Sequence, residues 1–281
     1  MALVVETIPS IGVTRLSRWI FNCYVIHDRG DGSVLVVDAG LPGAVDDLRA
    51  VLPTLGLALG AVTAVVATHS HSDHVAGVPA LVEATGAAVH LPRPADDWVA
   101  GRSSPRSPGP SDIARIWPTV LDQPFDARGA AGLAAGSRTA GYGAGTGMRW
   151  PAALAFDVLG DGEPLPGAPT WTVLAAAGHT DDSVAFWQAS TGTLLSGDAV
   201  LTVDGRAWIT PEAVDPVARD ETDRRLRSLP AVHVLPGHGR PVSSAGGDAL
   251  ARALGPGEGP SGASGASGAF RRAGRWLSGR G

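Results

Sequence analysis

The chain has 281 residues, 44% of them hydrophobic and 17% charged, with a formal net charge of −5. That length buries a sizeable core as one large or two small domains, and the acidic balance gives no reason to expect nucleic acid as a partner. A single cysteine, Cys23, excludes an intrachain disulfide and a cysteine-based zinc cage.

In chain order, the opening MALVVETIPS lacks the charged start and long apolar stretch of a signal peptide. No run approaches the ~20 apolar residues of a membrane span. A cytoplasmic protein with no membrane partner is the expectation. IFNCYVI reads as a strand interior holding Cys23 as a buried, inert thiol. His27 precedes a hairpin turn and is expected to be exposed. SVLVVDAG (33–40) is a strand ending at Asp38. AVDDLRAVLPTLG (44–56) has apolar residues at helical spacing, with Gly56 as a stop signal. AVTAVVA (61–67) is a buried strand. VPALVEAT follows as a short helix with Pro79 in its first turn and Gly86 at its end, and AAVHLP (87–92) is the next strand.

From about 93 to 150 the composition turns to Gly, Pro and Ser, with one better patterned piece, SDIARIWPTVL. This predicts a loop-rich insertion with a little helix, open to three readings: a lid, a contact in a homodimer, or a disordered segment. Trp98, Trp117, Tyr142 and Trp150 could form an apolar wall in the first case. TWTVLAAAG, SVAFWQA and TLLSGDAVL then resemble consecutive strands. VARDETDRRLRSL (217–229) is patterned as a helix, and AVHVLPGHG ends a final strand. Residues 1–254 form the expected domain, and 255–281 a low-complexity, disordered tail.

The chemistry concentrates in THSHSDH, residues 68–74, where the strand at 61–67 ends and where α/β proteins place function. Alternate side chains of an extended segment share a face. His69 and His71 therefore point at one centre, with Asp73 continuing in that direction, while His74 turns elsewhere as the chain enters its helix. The spacing suits two adjacent metal ions, and imidazole with carboxylate suits zinc, iron or manganese. Three later apolar runs each end in a further donor preceded by glycine: Gly178-His179, Gly197-Asp198 and Gly237-His238. Glycine there lets the backbone bend as the strand ends. His90 and His233, inside apolar strands, read as core histidines. Asp181 and Asp182 read as turn residues, and Trp208 as packing or pocket-lining.

His69-Ser70-His71-Ser72-Asp73-His74, with the three Gly-donor pairs and Asp38 in VVDAG, resembles the metallo-β-lactamase fold superfamily over roughly 10–245, apart from the insertion. The resemblance implies an α/β fold, an αββα sandwich with its metal site at the sheet edge. It implies one metal held by His69, His71 and His179, and a second by Asp73, His74 and His238. Asp198 would bridge both, and Asp38 would support the site. The implied cofactors are two Zn²⁺ per chain, with iron or manganese as alternatives.

Two such ions share a bridging water and lower its pKa towards neutrality. The resulting hydroxide, oriented by Asp73 as catalytic base, would hydrolyse an ester, thioester, lactone or related bond of a small-molecule substrate. The lactamases of the superfamily generally lack the bridging Asp, and flavodiiron proteins carry Glu where His71 stands. Glyoxalase II enzymes share the ligands but use basic residues, including a lysine, for glutathione, and this chain has no lysine. Homoserine-lactone lactonases use a Tyr near the bridging Asp, for which Tyr142 is the only remote substitute. The alternative is a mononuclear iron, persulfide dioxygenase-like oxidoreductase with the same ligand residues.

Overall fold

The computed structural model describes residues 3–27, 30–143 and 145–258. Its first sheet has seven strands in sequence order: β1 (Val4–Ile8), β2 (Val13–Arg18), β3 (Phe21–Ile26), β4 (Val34–Val37), β5 (Val62–Val66), β6 (Ala88–Pro92) and β7 (Asp157–Leu159). The strands up to β4 pair antiparallel, and those from β4 to β7 pair parallel. The parallel half needs crossovers. These carry α1 (Ala44–Val51), α2 (Ser72–Val75) and α3 (Val78–Thr85), which Gly86 ends in the left-handed conformation. The last crossover, between β6 and β7, is the insertion.

The insertion holds more helix than its composition suggests: α4 (Pro94–Val99), α5 (Pro110–Ile113), α6 (Trp117–Asp122) and α7 (Ala127–Gly136). The last of these lies in the Gly-rich run expected to be loop. Each glycine costs an isolated helix about 1 kcal/mol, and here tertiary packing overrides that. Asp126 caps α7 by accepting from the Arg128 N–H at 3.0 Å. Gly129, Gly132 and Gly136, at helical spacing, let its backbone lie close to Trp19, Leu41 and Ala76, where a Cβ would stand 3.2, 3.3 and 2.9 Å away.

The second sheet contains β8 (Pro164–Leu165), β9 (Ala168–Ala175), β10 (Val184–Gln188) and β11 (Thr193–Gly197). A separate hairpin, β12 (Val200–Val203) with β13 (Arg206–Ile209), and α8 (Pro216–Arg227) follow. The chain then returns through β14 (His233–Pro236), parallel to β11, and β15 (Val242–Ser243).

Period-two alternation sorts the side chains into layers. Leu35 and Val37 of β4 meet Val173, Phe186 and Leu195 between the sheets. Val34 and Val36 pack outward against Leu48 and Leu81 of α1 and α3. Across the second sheet, Ala185 and Trp187 face the layer that holds Leu226 of α8. The architecture is a four-layer αββα sandwich. Strands buried on both faces explain the near-continuous apolar runs in the sequence.

Trp208 is a packing residue: it is buried with Val203 and Leu254, and its indole N–H donates to the Gly255 carbonyl at 3.1 Å. Among the described residues no helix is long and apolar enough to cross a membrane. Residues 259–281, most of the expected tail, lie outside the described residues.

Candidate metal centre

Strand β5 delivers the histidine loop, and β4 delivers its anchor. Asp38 holds a left-handed φ of 58°, a conformation costly for a non-glycine residue and concentrated at functional sites. From there its carboxylate accepts the Thr68 N–H and the Thr68 hydroxyl, both at 2.8 Å, and pairs with His74 Nδ1 at 3.0 Å. The chain stays extended to His71, the residue before α2, so one helical turn presents Asp73 and His74. Two further ties fix the loop. The buried Asp182 carboxylate accepts the Ser70 N–H at 2.9 Å. Tyr142 of the insertion accepts from the Ser72 N–H at 2.8 Å and donates its own N–H to the Ser70 carbonyl at 3.1 Å.

The second sheet supplies the remaining donors from the ends of β9, β11 and β14. His179 Nδ1 pairs with the Glu212 carbonyl at 3.3 Å, and His238 Nδ1 with the Ile20 carbonyl at 3.0 Å. Each carbonyl accepts the Nδ1 proton, so Nε2 is left for the centre. The His238 loop is clamped to the first sheet by the Asn22 amide and the Tyr24 hydroxyl, both donating to the Pro236 carbonyl, at 2.8 and 2.7 Å.

The glycines before the donors serve two different ends. Gly197 has φ 49°, so the bend needs glycine. Gly237 has no positive φ; it is needed for space, since a Cβ there would stand 2.2 Å from Asp198 Oδ1 and 2.7 Å from His74 Cε1.

These elements bring all seven expected donors together in three overlapping groups: His69 with His71 and His179, His69 with His74 and Asp198, and Asp73 with His74 and His238. His71 Nδ1 lies 3.1 Å from His69 Nε2 and 3.3 Å from His179 Nε2. A tetrahedral ion with bonds of about 2.05 Å would space its nitrogens about 3.3 Å apart. Asp198 Oδ2 sits among the groups, 3.1 Å from His238 Nε2, 3.6 Å from both His74 Nε2 and His179 Nε2, and 4.0 Å from His69 Nε2. His74 Nε2 and Asp198 Oδ1 are buried without a hydrogen-bond partner. Buried polar groups are ordinarily satisfied, and cations between these donors would satisfy them. The residues present therefore fit a pair of metal ions.

Electrostatics divides the histidines. Burial, reinforced by neighbouring imidazoles, pushes His69 well below its ordinary value and His71 to about 3, so both are neutral and ligand-ready at pH 7. For His74 and His238 burial acts in the same direction but is outweighed by carboxylates. Asp198 and Asp38 raise His74 well above its ordinary value, and Asp198 with Asp73 raises His238 to about 10. Against the burial penalty, His238 and His74 in turn hold Asp198 well below the usual carboxylate range.

A cavity of about 480 Å³ opens over the centre and is floored by His71, Asp73, His179, Asp198 and His238. Asp73 keeps 18% of its side chain exposed. Of the four aromatics expected as a wall, Trp117 and Tyr142 line the cavity. Trp98 instead backs Tyr142, with ring centres 5.4 Å apart, and Trp150 packs on Phe156 away from the cavity lining.

His90 and His233 stand apart from the centre. His233 is half-buried and bonded to Ser243 at 2.8 Å; His90 leaves its Nδ1 buried without a partner. His27 is half-buried rather than exposed, bonding Thr14 at 3.0 Å. The sequence offers no signal for Thr68, Asn22 or Glu212, and Asp182 looks there like an ordinary turn residue. Asp182→Ala should leave the Ser70 N–H unpaired, costing about 1–3 kcal/mol. Asp182→Asn, which keeps an acceptor, should cost less; urea denaturation of both variants checks this.

Comparison with known proteins agrees with this geometry. The family model of the metallo-beta-lactamase superfamily matches residues 18–238. A hydroxyacylglutathione hydrolase of Cereibacter sphaeroides is 28% identical over 210 residues, 74% of this chain and 58% of that protein, so the chain spans little more than half of that relative's length. A Mycobacterium leprae protein described as uncharacterized, ML0493, is 28% identical over 78% of this chain and 86% of its own. The crystal structure of TTHA1623 in a di-iron-bound form superposes with a TM-score of 0.54 at 27% identity, covering 85% of this chain and 96% of that one. With the αββα sandwich and the clustered His and Asp donors at its sheet edge, the match over residues 18–238 shows that the chain belongs to the metallo-beta-lactamase superfamily.

Proposed function

We propose that this protein is a metal-dependent hydrolase acting on an ester, thioester, lactone or related bond of a small molecule, with two zinc ions as its resident metals. The observation that carries this reading is the position of Asp198 Oδ2, within 4.0 Å of the metal-facing nitrogens of His69, His74, His179 and His238. One carboxylate so placed can serve two ions at once. When bound, such ions would lower the pKa of a water at the centre and polarise the carbonyl under attack.

The chain's own groups do the rest. Asp73, on the cavity floor and partly open to it, orients the attacking water and takes its proton. His238 Nε2 lies 3.3 Å from the Asp73 carboxylate, so the two would face the same ion. Asp38 and the carbonyls of Glu212 and Ile20 fix the imidazole orientations from behind. The relative named hydroxyacylglutathione hydrolase supports thioesters among the candidate bonds.

The test strips the protein with a chelator, reloads it separately with zinc, iron or manganese, and assays thioesters, lactones and esters. Hydrolysis that disappears on chelation and returns with metal is expected. Oxygen uptake on persulfides by the iron form, with no hydrolysis by any form, would contradict the reading. Asp73→Asn should weaken the metal held with His74 and His238 and lose at least about a hundredfold in turnover, roughly 3 kcal/mol; parallel metal and rate measurements check it.

A further inference from the structure

Charge is unevenly spread around the cavity. Its floor holds the candidate ligands, whereas the wall above is hydrocarbon. Ile113, Ile116, Trp117, Val120 and Leu133 come from the insertion, Trp19 and Ile20 from the β2–β3 turn, and Phe21 from the start of β3. Among the described residues no arginine lines this space, and the chain has no lysine to offer. Among the described residues the wall's one carboxylate is the buried Glu212, and Tyr142 adds a buried phenol hydroxyl.

The neighbouring guanidinium groups are engaged elsewhere. Arg106 is held by Asp181 and Asp215, and Arg115 by Asp112 and the Pro211 carbonyl.

The wall also exposes apolar surface that packing alone does not require. Trp117 is 55% exposed, and Ile113 and Leu133 are 38% exposed each. Trp19 is held at the rim in a left-handed conformation (φ 55°), braced edge-on by Phe21 and Phe125 with ring centres 5.9 and 5.3 Å away. Such strain in a bulky residue persists where surrounding structure enforces it, and it clusters at ligand sites.

We propose that the wall binds an uncharged, apolar group of the substrate, such as a medium-length acyl chain, and disfavours carriers with anionic groups. This rests on the hydrolase reading and narrows its substrate class. A carboxylate placed against this wall would lose its hydration and meet no cation, whereas each methylene buried there should tighten binding roughly three- to fourfold. A cavity of about 480 Å³ is within the range that holds a drug-sized ligand.

The test measures binding to the metal-loaded protein by calorimetry, using thioethers that cannot be hydrolysed. S-butyl- and S-octyl-N-acetylcysteamine are neutral, and S-octylglutathione carries the same chain on an anionic carrier. The expected result is that the octyl compound binds at least about tenfold tighter than the butyl compound and at least about tenfold tighter than S-octylglutathione. Trp117→Arg and Ile113→Arg, at exposed positions that tolerate a polar side chain, should each weaken the neutral octyl ligand and narrow its advantage over S-octylglutathione.

Equal or tighter binding of S-octylglutathione, or no gain from butyl to octyl, would overturn the proposal. Turnover of the matching octanoyl thioester separates it from the hydrolase reading. The expected binding preference without turnover sinks the hydrolysis and leaves the wall's specificity standing. Turnover with preference for the glutathione carrier does the reverse.

Discussion

Replacing Asp198 with Ala is expected to lower bound metal to below one ion per chain and to reduce turnover on the order of a thousandfold or more, about 4 kcal/mol in the barrier. The reason is positional. Its Oδ2 is the only carboxylate oxygen among the described site residues within 4.0 Å of four of the histidine Nε2 atoms. Removing it leaves His69 and His179 without that carboxylate and His74 and His238 with Asp73 alone on the centre's side, at 3.9 and 3.3 Å, and His74 and His238 lose the partner that raises them most. Neither half-site can be expected to keep its ion at full affinity. Asp198→Asn keeps the shape and loses the charge, so it should rank between Ala and wild type in metal affinity. Elemental analysis alongside steady-state kinetics checks both variants. Full metal loading of Asp198→Ala with unchanged rates would remove the bridging role.

Replacing Gly237 with Ala should be nearly as damaging, although the residue carries no side chain. A Cβ would fall 2.2 Å from Asp198 Oδ1 and 2.7 Å from His74 Cε1. Neither neighbour can yield easily. Asp38 fixes His74 from its other nitrogen at 3.0 Å, and the Gly237 N–H donates to the Gly197 carbonyl at 2.8 Å, holding the strand ends together. Overpacking of this kind costs about 1–3 kcal/mol in stability, and the displaced ligands should cost far more in metal affinity. The expected signature is thus a modest drop in denaturation midpoint with a large loss of metal. A wild-type metal content in Gly237→Ala would mean that His74 and Asp198 do not approach as closely as described.

The donors were legible because each ends an apolar run, and runs buried on both faces of a sheet are visible without knowing their partners. The role of Gly237 was legible only by type: the expected bend is real at Gly197, but at Gly237 the constraint is space. Asp182 could not be told from an ordinary turn residue, since its partner, the Ser70 N–H, lies 112 positions away. The helix at Ala127–Gly136 was hidden because glycine lowers local helix propensity, while its spacing of three and four serves a close approach to Trp19, Leu41 and Ala76. The cavity wall was half legible. Trp117 and Tyr142 reach it, but Trp98 and Trp150 do not, because aromatics in an insertion announce burial without saying against what.

The proposed two-metal centre joined by Asp198 is tested most directly by metal per chain, from elemental analysis of protein purified without chelator or added metal. The account predicts close to two equivalents, with zinc predominant, falling below one in Asp198→Ala. About one iron per chain, or no bound metal in protein that still turns over its substrate, would contradict it.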